Sequence, residues 1–484
     1  MLQGLMRTKS VEQSIAEADE PKYRMKRSLS ALDLTVFGVG IIIGTGIFVL
    51  TGQQAARNAG PAIILSFLIA GVVCALVAVC YAELATTLPV AGAAYTFSYA
   101  TLGELVAWII GWDLTLELAI VTSVVARGWS AYLHDLFNLP DTVAGDAARP
   151  DWGAIFIVVL LGIMALFGTK LSGRVSAVLV AVKVAVVLFV IALGAFFIKA
   201  ANYTPFIPPS QPAEKQAGSD APLLQVLLGV TPQHFGVFGI LAAASIVFFA
   251  YIGFDVVANT AEETRNPQRD MPRGILASLA ICAVLYMAVS FVITGMAHYT
   301  RLDTGAPLAR AFDEAGIIWA AKIIDVGALS GITTVILVLL VGQTRVLFAM
   351  SRDGLLPRGL GAVHPRLGTP WIITLVMAVA VSALAGSVPL SQLTKLVNIG
   401  TLFAFVMVCL GVIVLRRTRP DLHRTFRAPG VPWLPALAIL ACLWLMLNLP
   451  VKAWMRFLVW MALGLVVYFA YGRHHSRLGR RLRR

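Results

Sequence analysis

Residues 41–48 read IIIGTGIF and lie at the centre of the first long apolar stretch of the chain. Gly44 and Gly46 fall where a membrane-spanning helix is normally most regular. Each glycine costs a helix about 1 kcal/mol relative to alanine, so the helix is weakest at this place. The stretch therefore predicts a helix in two halves, the first ending near Ile42 and the second beginning near Gly46 or Ile47.

A helix interrupted in this way exposes backbone groups to a ligand. The end of the first half leaves free carbonyl oxygens, and the start of the second leaves free N–H groups at the positive end of a helix dipole. Such an N-terminus binds a carboxylate, and the Thr45 hydroxyl adds a further donor. The same small residues also allow close helix packing. Taken alone, the stretch fits a binding site and a packing patch equally well.

The composition of the chain indicates an integral membrane protein. Of its 484 residues, 58% are hydrophobic and 13% are charged, and the mean hydropathy is +0.83. Soluble domains carry about 25% charged residues, and a helix needs about 20 apolar residues to cross the bilayer. The apolar stretches predict an all-α fold of twelve spans, at 31–56, 61–86, 104–134, 151–168, 173–199, 236–264, 273–298, 317–350, 370–386, 392–415, 431–449 and 454–472.

The net charge of +13 follows the topology of these spans. The tail of residues 1–30 is polar, with no cleavable signal peptide, so the first span is the insertion signal. Both tails and the loops after spans six, eight and ten are rich in Lys and Arg. This positive-inside pattern predicts that both termini are cytoplasmic. The charge then serves topology and lipid headgroups, and we expect no nucleic-acid partner.

No catalytic or metal-binding motif is present in the sequence. The five cysteines all lie within predicted spans, where they are typical of small core residues. The seven histidines lie in loops, tails or span ends, and none has the spacing of a metal site. We therefore expect a protein that is not an enzyme and that has no cofactor.

A second interruption falls within the sixth span, where residues 245–255 read SIVFFAYIGFD. Two interrupted spans, each the first of a five-span half, indicate an inverted-repeat transporter with a binding site at the membrane midplane. The carbonyl oxygens of Phe249, Ala250 and Ile252 are expected to accept hydrogen bonds from an ammonium group, beside Gly253. Carboxylate donors on one helix and ammonium acceptors on the other match the two ends of a free α-amino acid.

Five stretches of the chain resemble the cationic amino acid transporter family of the amino acid–polyamine–organocation superfamily. They read GVGIIIGTGIFV, YAELATTLPVAGAAYTFSYATLGELVAWIIGWDLTLEL, ARGWSAYL, FFAYIGFDVVANTAEETRNPQRDMPRGI and RVLFAMSRDGLLP. The resemblance runs from about residue 25 to 420. It implies a LeuT-like five-plus-five inverted repeat followed by two further spans, and a bacterial member in the plasma (inner) membrane. The implied parts are a tail (1–30), a first repeat (31–199), an extracellular loop (200–235), a second repeat (236–415), spans eleven and twelve (416–472) and a basic tail (473–484).

Lys183 lies in the middle of the fifth span, nine residues from Arg174 and sixteen from Lys199. At about 1.5 Å per residue it is roughly 14 Å from the nearer end, so its side chain cannot reach the membrane surface. A charge at this depth is expected to face the bundle interior and to have partners. A lysine placed in this way is a candidate for binding and releasing a proton during transport. A permanently charged structural role is the alternative.

The family resemblance adds a location for Lys183. LeuT-like folds commonly hold Na⁺ between spans one, five and eight, and the resemblance places the Lys183 ammonium there in place of the cation. The implied neighbours are the carbonyls of Gly40 and Ile41 and the hydroxyls of Ser330 or Thr333. These positions predict proton coupling and no Na⁺ site.

Other charged residues lie in or near the spans, and structural ion pairs are the simpler interpretation for each. Asp113 and Glu117 are four residues apart on one helical face and are candidates for a polar path. Arg127 is expected to neutralise one of them. Glu104 and Asp255 are further candidates for this path or for a gate.

The sequence leaves the transported amino acid open. The family implies a cationic substrate, whereas Ile332, expected to line the side-chain pocket, favours a small or neutral one. Phe249 and Phe254 are expected to flank the site as a gate, with helix packing as the alternative. Exchange or uniport of arginine, lysine or ornithine is the alternative to proton-coupled uptake. A channel is disfavoured because the spans show isolated charges instead of a continuous polar lining. A membrane sensor is disfavoured because the loops and tails are too short for a sizeable soluble domain. We expect a small-molecule substrate and the bilayer as partners, and the oligomeric state is open.

Overall fold

The computed structural model describes residues 7–13, 27–90, 92–145, 148–167, 173–213 and 218–481. This part of the chain is mostly helical, and eight helices are long and apolar enough to cross a membrane. Four shorter apolar helices occur at Ala31–Ile42, Trp152–Leu166, Trp371–Ser387 and Trp433–Leu447. Twelve crossings, the five-plus-five repeat and the domain boundaries stay predictions.

The helices are numbered in chain order. They are α1 (Ala31–Ile42), α2 (Gly46–Leu50, Thr51–Gln54 and Ala55–Ala59 in succession), α3 (Ile63–Thr87), α4 (Ala93–Thr101), α5 (Glu104–Phe137), α6 (Trp152–Leu166), α7 (Gly173–Gly194), α8 (Leu223–Leu227), α9 (Gly236–Val247), α10 (Phe254–Ala258), α11 (Pro267–Met296), α12 (Pro307–Glu314), α13 (Ile318–Arg352), α14 (Trp371–Ser387), α15 (Leu390–Leu396), α16 (Ile399–Thr418), α17 (Trp433–Leu447), α18 (Val451–Val467), α19 (Arg473–His475) and α20 (Arg477–Arg481).

The first half-helix begins at a reciprocal cap. The Ser30 hydroxyl accepts from the Asp33 N–H, and the Asp33 carboxylate accepts from the Ser30 N–H at 2.9 Å. This capping box satisfies two of the backbone donors that a helix start leaves free. Just before it, the Leu29 carbonyl accepts from the Arg265 N–H at 2.9 Å. The base of α1 is thereby fixed to the segment that follows α10.

The core of the fold is made by long helices that pack closely around the two interrupted ones. Trp112 on α5 and Trp460 on α18 stack with ring centroids 4.5 Å apart, and each indole N–H donates to the other residue's carbonyl oxygen at 2.9 Å. On the outer surface, large apolar side chains such as Phe196, Trp433 and Val459 are exposed. An apolar outer surface of this kind fits contact with lipid.

The structure differs from the sequence prediction between the long helices. The segment 392–415, predicted as one span, is interrupted, because Val397 is extended and Asn398 adopts a left-handed conformation with φ 89° between α15 and α16. The predicted loop 200–235 carries helix α8 and a two-stranded antiparallel pair, β1 (Gln211–Pro212) and β2 (Gln233–His234), with Gln211 opposite His234.

Candidate functional site

The first interruption lies where the glycines predict it. Helix α1 ends at Ile42, Ile43 is extended with ψ 100°, and α2 begins at Gly46. The carbonyl oxygen of Gly44 accepts from the N–H groups of Ile47 and Phe48 at 3.2 and 3.3 Å. The N–H groups at residues 44–46 stand at the start of α2, where a helix supplies no internal partners. This start is the predicted carboxylate site.

The second interruption is longer and follows α9. Residues 248–251 form a 3₁₀ turn, Ile252 is extended and Gly253 has φ 132°, a conformation that favours glycine. The Asp255 carboxylate accepts from the Gly253 N–H at 3.0 Å. Asp255 thus stabilises the turn itself and faces its own backbone.

The two interruptions are in direct contact. A Cβ atom added to Gly46 would lie 2.4 Å from Ala250 Cα, so only glycine allows this approach. The Tyr286 hydroxyl, on α11, lies 2.6 Å from the carbonyl oxygen of Ile42 and 2.9 Å from that of Ala250. The Ala250 carbonyl is one of the predicted ammonium acceptors, and the Ile42 carbonyl is at the end of the first half-helix. No local sequence pattern marks Tyr286, because its contact depends on tertiary packing.

A cavity of about 20 Å³ lies between the interruptions. It is lined by backbone and side chains from α1, α2, α5, α13 and the second interruption: Ile41, Ile42, Gly44, Thr45, Gly46, Val121, Val125, Phe249, Ile252, Val335 and Leu339. This volume holds about one water molecule and is too small for an amino acid. The described conformation is therefore a compact form of the site.

Six predicted binding residues line the cavity: Ile42, Gly44, Thr45, Gly46, Phe249 and Ile252. The other five, Ile47, Ala250, Gly253, Phe254 and Ile332, are buried but are not among its lining residues. Ile332 lies about one turn before Val335 on α13, so the lining falls closer to the middle of that helix. Val121 and Val125 on α5, with Val335 and Leu339 on α13, supply this part of the lining. The sequence does not predict these four residues, because a contact between two helices leaves no local motif.

The Thr45 hydroxyl lies 3.4 Å from the carbonyl oxygen of Val125. Gly128 makes room for this approach, because an added Cβ there would lie 2.5 Å from Thr45 Cγ2. Thr45 is completely buried. The hydroxyl predicted to bind substrate is therefore held at the wall formed by α5.

The Lys183 side chain is fully buried and is surrounded by oxygen atoms. Its nitrogen lies within hydrogen-bonding distance of four acceptors on α1, its end and α13: Gly40 O (2.6 Å), Ile43 O (3.3 Å), Gly331 O (3.0 Å) and Thr334 Oγ1 (2.8 Å). An ammonium group has three hydrogens, so these acceptors saturate it. The charged form has no shortage of partners at this site.

Three of the four implied neighbours of Lys183 are corrected by this geometry. Ile43 replaces Ile41, because the backbone leaves the helix at Ile43 and turns that carbonyl towards the lysine. Thr334 and the Gly331 carbonyl replace Ser330 and Thr333. The Ser330 and Thr333 hydroxyls donate to carbonyls of their own helix, at Gly327 and Leu329, and successive side chains on a helix point about 100° apart.

None of the four candidate path or gate residues lines the cavity, and three of them, Glu104, Asp113 and Glu117, contact other helices. Glu104 accepts from the hydroxyls of Tyr99 and Tyr468 at 3.1 Å and from Ser476. Glu117 accepts from the Asn398 N–H at 2.6 Å and pairs with Arg456 at 3.4 Å. Asp113 is buried against the start of α16 beside Gly400. These contacts describe helix-to-helix connections, and a role in a path or gate stays a prediction.

The expectation for Arg127 is wrong. Arg127 pairs with Asp151 at 3.3 Å, both side chains being fully buried, and it also donates to the carbonyls of Ala148, Ala385 and Gly386. Helix α5 turns this side chain away from Asp113 and Glu117 and towards α6 and α14. Two more charged residues in the spans are paired: Glu83 with Arg416 at 2.6 Å and Asp325 with Lys322 at 3.6 Å.

Two interrupted apolar helices that meet at a cavity beside a buried lysine define the class of protein as a membrane transporter for a small molecule. The sequence model of the amino acid permease family matches residues 29–469, so the chain belongs to this family. It is a transporter and not an enzyme.

Individual relatives match over most of the chain. The branched-chain amino acid permease BcaP of Bacillus subtilis (strain 168) is 45% identical over 98% of this chain and 99% of its own length. The methylthioribose transporter of the same organism is 44% identical over 99% of this chain and 100% of its own length. The vacuolar cationic amino acid transporter 4 of Arabidopsis thaliana is 38% identical over 87% of this chain and 68% of its own length.

Proposed function

We propose that the chain carries neutral, apolar L-amino acids into the cell by proton-coupled uptake. The observation that carries the substrate class is the cavity wall. Among the described residues, those lining the cavity offer apolar side chains and one threonine, with no carboxylate to receive a second positive charge. A cationic side chain buried there without a partner would be strongly disfavoured.

The binding mode follows from the two interruptions. The substrate carboxylate binds at the start of α2, at the N–H groups of residues 44–46, where the helix dipole favours an anion. The amino group binds the carbonyl oxygens at the end of α1 and in the second interruption. The side chain lies among Val121, Val125, Val335 and Leu339. The compact cavity widens for this when the helices separate, as alternating access requires.

Proton coupling rests on Lys183. Four oxygen atoms from α1, its end and α13 surround its nitrogen, and carbonyl oxygens of interrupted helices coordinate Na⁺ in other transporters. The ammonium occupies that place, so the proton is the coupling ion and no Na⁺ site is needed. Protonation and deprotonation of Lys183 change the attachment of α1 to α13. A change of this kind biases the equilibrium between conformations.

The relatives support this proposal in part. The name of the Bacillus permease, which describes branched-chain amino acids, agrees with a cavity of valine, isoleucine and leucine residues. The Arabidopsis relative is named for cationic amino acids, and the cavity wall argues against that substrate here. The twelve spans, the LeuT-like arrangement, the inner membrane and the cytoplasmic termini belong to the same proposal, supported by the basic tails and loops.

Counterflow with purified protein in proteoliposomes tests the substrate class. Labelled leucine is offered together with one unlabelled competitor at a time: leucine, valine, alanine, arginine, lysine or methylthioribose. Each measurement is made with and without an inward proton gradient, and with and without Na⁺. Leucine and valine are expected to compete best, and the proton gradient alone is expected to drive accumulation. Stronger competition by arginine, or accumulation that requires Na⁺, would overturn the assignment.

A further inference from the structure

Tyr286 is the side chain that joins the two interrupted helices. Its hydroxyl lies 2.6 Å from Ile42 O and 2.9 Å from Ala250 O, and the residue is fully buried. A phenol carries one hydrogen, so it donates to only one of two carbonyls at a time. The Phe67 and Tyr251 rings hold the phenol in place, with centroids 5.6 and 5.2 Å from its own. The hydroxyl therefore has two alternative partners within reach without moving its ring.

The Ile42 carbonyl lies within a segment that Lys183 also holds. Lys183 Nζ lies 2.6 Å from Gly40 O and 3.3 Å from Ile43 O, on both sides of Ile42 along the chain. Hydrogen bonds therefore attach α13 through Lys183 to the backbone of residues 40–43, and the Tyr286 hydroxyl lies between a carbonyl of that same backbone segment and Ala250 O. These contacts connect the lysine with both substrate-binding segments.

We propose that Tyr286 is a two-position relay that transmits the protonation state of Lys183 from the first interruption to the second. The inference rests on the proposed proton coupling through Lys183. Protonated Lys183 has three hydrogens for its four acceptors, and neutral Lys183 has two. Loss of a proton therefore releases at least one oxygen and loosens the segment that contains the Ile42 carbonyl. The Tyr286 hydrogen then passes from Ile42 O to Ala250 O, which changes the acceptors available to the substrate's amino group.

The surroundings leave this relay without a competing charge. In the described part of the chain, the titratable group that faces Lys183 from α11 is the Cys282 thiol, and Cys282 and Tyr251 are those that face Tyr286. The hydrogen-bond partners of the Lys183 nitrogen are three carbonyl oxygens and the Thr334 hydroxyl, none of which carries a charge. The charge that changes at this place is therefore that of Lys183. Tyr286 is a positioning residue, since it acts through carbonyl groups and does not line the cavity.

The test separates coupling from transport itself. Leucine counterflow without a gradient and leucine accumulation driven by a proton gradient are measured in proteoliposomes for wild type, Tyr286→Phe, Tyr286→His and Tyr203→Phe. Tyr203 is the control, because its hydroxyl donates at 2.7 Å to the carbonyl of Phe291 on α11, the helix that carries Tyr286, away from the interruptions. Tyr286→Phe is expected to keep counterflow within about 3-fold and to lose at least 10-fold in accumulation. Tyr286→His restores one donor and is expected to recover part of the accumulation, and Tyr203→Phe to keep both activities.

Each other outcome is decisive. Unchanged accumulation in Tyr286→Phe would overturn the relay and leave the proposed function intact. Equal loss of counterflow and accumulation, or failure of both Tyr286 variants to give folded protein in a thermal unfolding measurement, would make Tyr286 a structural residue and overturn the relay as well. Absence of proton-driven accumulation in the wild type would overturn the proposed coupling and the relay with it.

Discussion

Lys183 Nζ on α7 lies 2.6 Å from the carbonyl oxygen of Gly40, near the end of the first half-helix. The same nitrogen lies 3.0 Å from the Gly331 carbonyl on α13. One side chain thus joins three helices at the depth where the first helix is interrupted. The charge on that side chain and the geometry of the interruption therefore depend on each other.

Replacing Lys183 with methionine is expected to remove proton-driven accumulation. The variant keeps an apolar stem of similar length but leaves four oxygen acceptors without their donor. Labelled leucine in proteoliposomes under an inward proton gradient measures the loss, expected to exceed 10-fold, while counterflow persists at a reduced rate. Lys199→Met is the control, because Lys199 is exposed. Undiminished accumulation in Lys183→Met would leave the lysine a structural role.

Replacing Gly46 with alanine is expected to abolish most transport. The added Cβ would lie 2.4 Å from both Ala250 Cα and Cβ, so the two interruptions would have to separate. Overpacking of this kind costs about 1–3 kcal/mol, and here it displaces the start of α2 where the carboxylate binds. Leucine uptake is expected to fall at least 10-fold. Gly342→Ala on α13 is the control, because a Cβ added there meets no atom within 4 Å, and this variant is expected to transport like wild type. Equal activity in the two variants would contradict the contact between Gly46 and Ala250.

Replacing Leu339 with alanine is expected to change substrate selection towards larger side chains. Leu339 lines the cavity on α13, and each methylene of a hydrophobic pocket is worth about 1–3 kcal/mol of discrimination. The ratio of phenylalanine to valine uptake is expected to rise at least 10-fold, a ratio that is independent of the amount of folded protein. Leu340→Ala removes a buried side chain outside the lining and is expected to leave the ratio unchanged. The same shift in both variants would mean that general loosening of α13, and not the cavity wall, sets the preference.

The sequence predicted the features that depend on local chemistry. Gly44 and Gly46 locate the first interruption because glycine weakens a helix wherever it occurs, and Lys183 is predicted to be buried because a charge that faces lipid at mid-span is costly. The lysine's partners were predicted less well. A shift of one residue turns a helical side chain by about 100°, so distinguishing Thr334 from Thr333 requires the rotation of α13 about its axis.

The interruption at Asn398 and the bridge by Tyr286 were not predicted. Asn398 carries no glycine or proline signal, and its left-handed conformation depends on partners far along the chain: Glu117, Ser245 and Ile246 accept its hydrogen bonds. Tyr286 lies in an unremarkable apolar helix. Both are consequences of how separate helices meet, and a single sequence without homologues contains no record of that.

Replacing Arg127 with methionine is expected to lower the free energy of unfolding and to leave the transport specificity unchanged. Arg127 and Asp151 are both fully buried, and the guanidinium also holds carbonyls of Ala148, Ala385 and Gly386. Removing one partner of a buried pair leaves an uncompensated charge and costs about 3–5 kcal/mol. Chemical unfolding in detergent measures this loss, and the leucine-to-valine uptake ratio of the folded fraction is expected to stay at the wild-type value. Arg301→Met is the control, because its partner Glu314 forms an ion pair in which Arg301 is 65% exposed, and a solvated pair contributes little. If the two variants unfolded alike, the Arg127–Asp151 pair would not be a main connection between α5, α6 and α14.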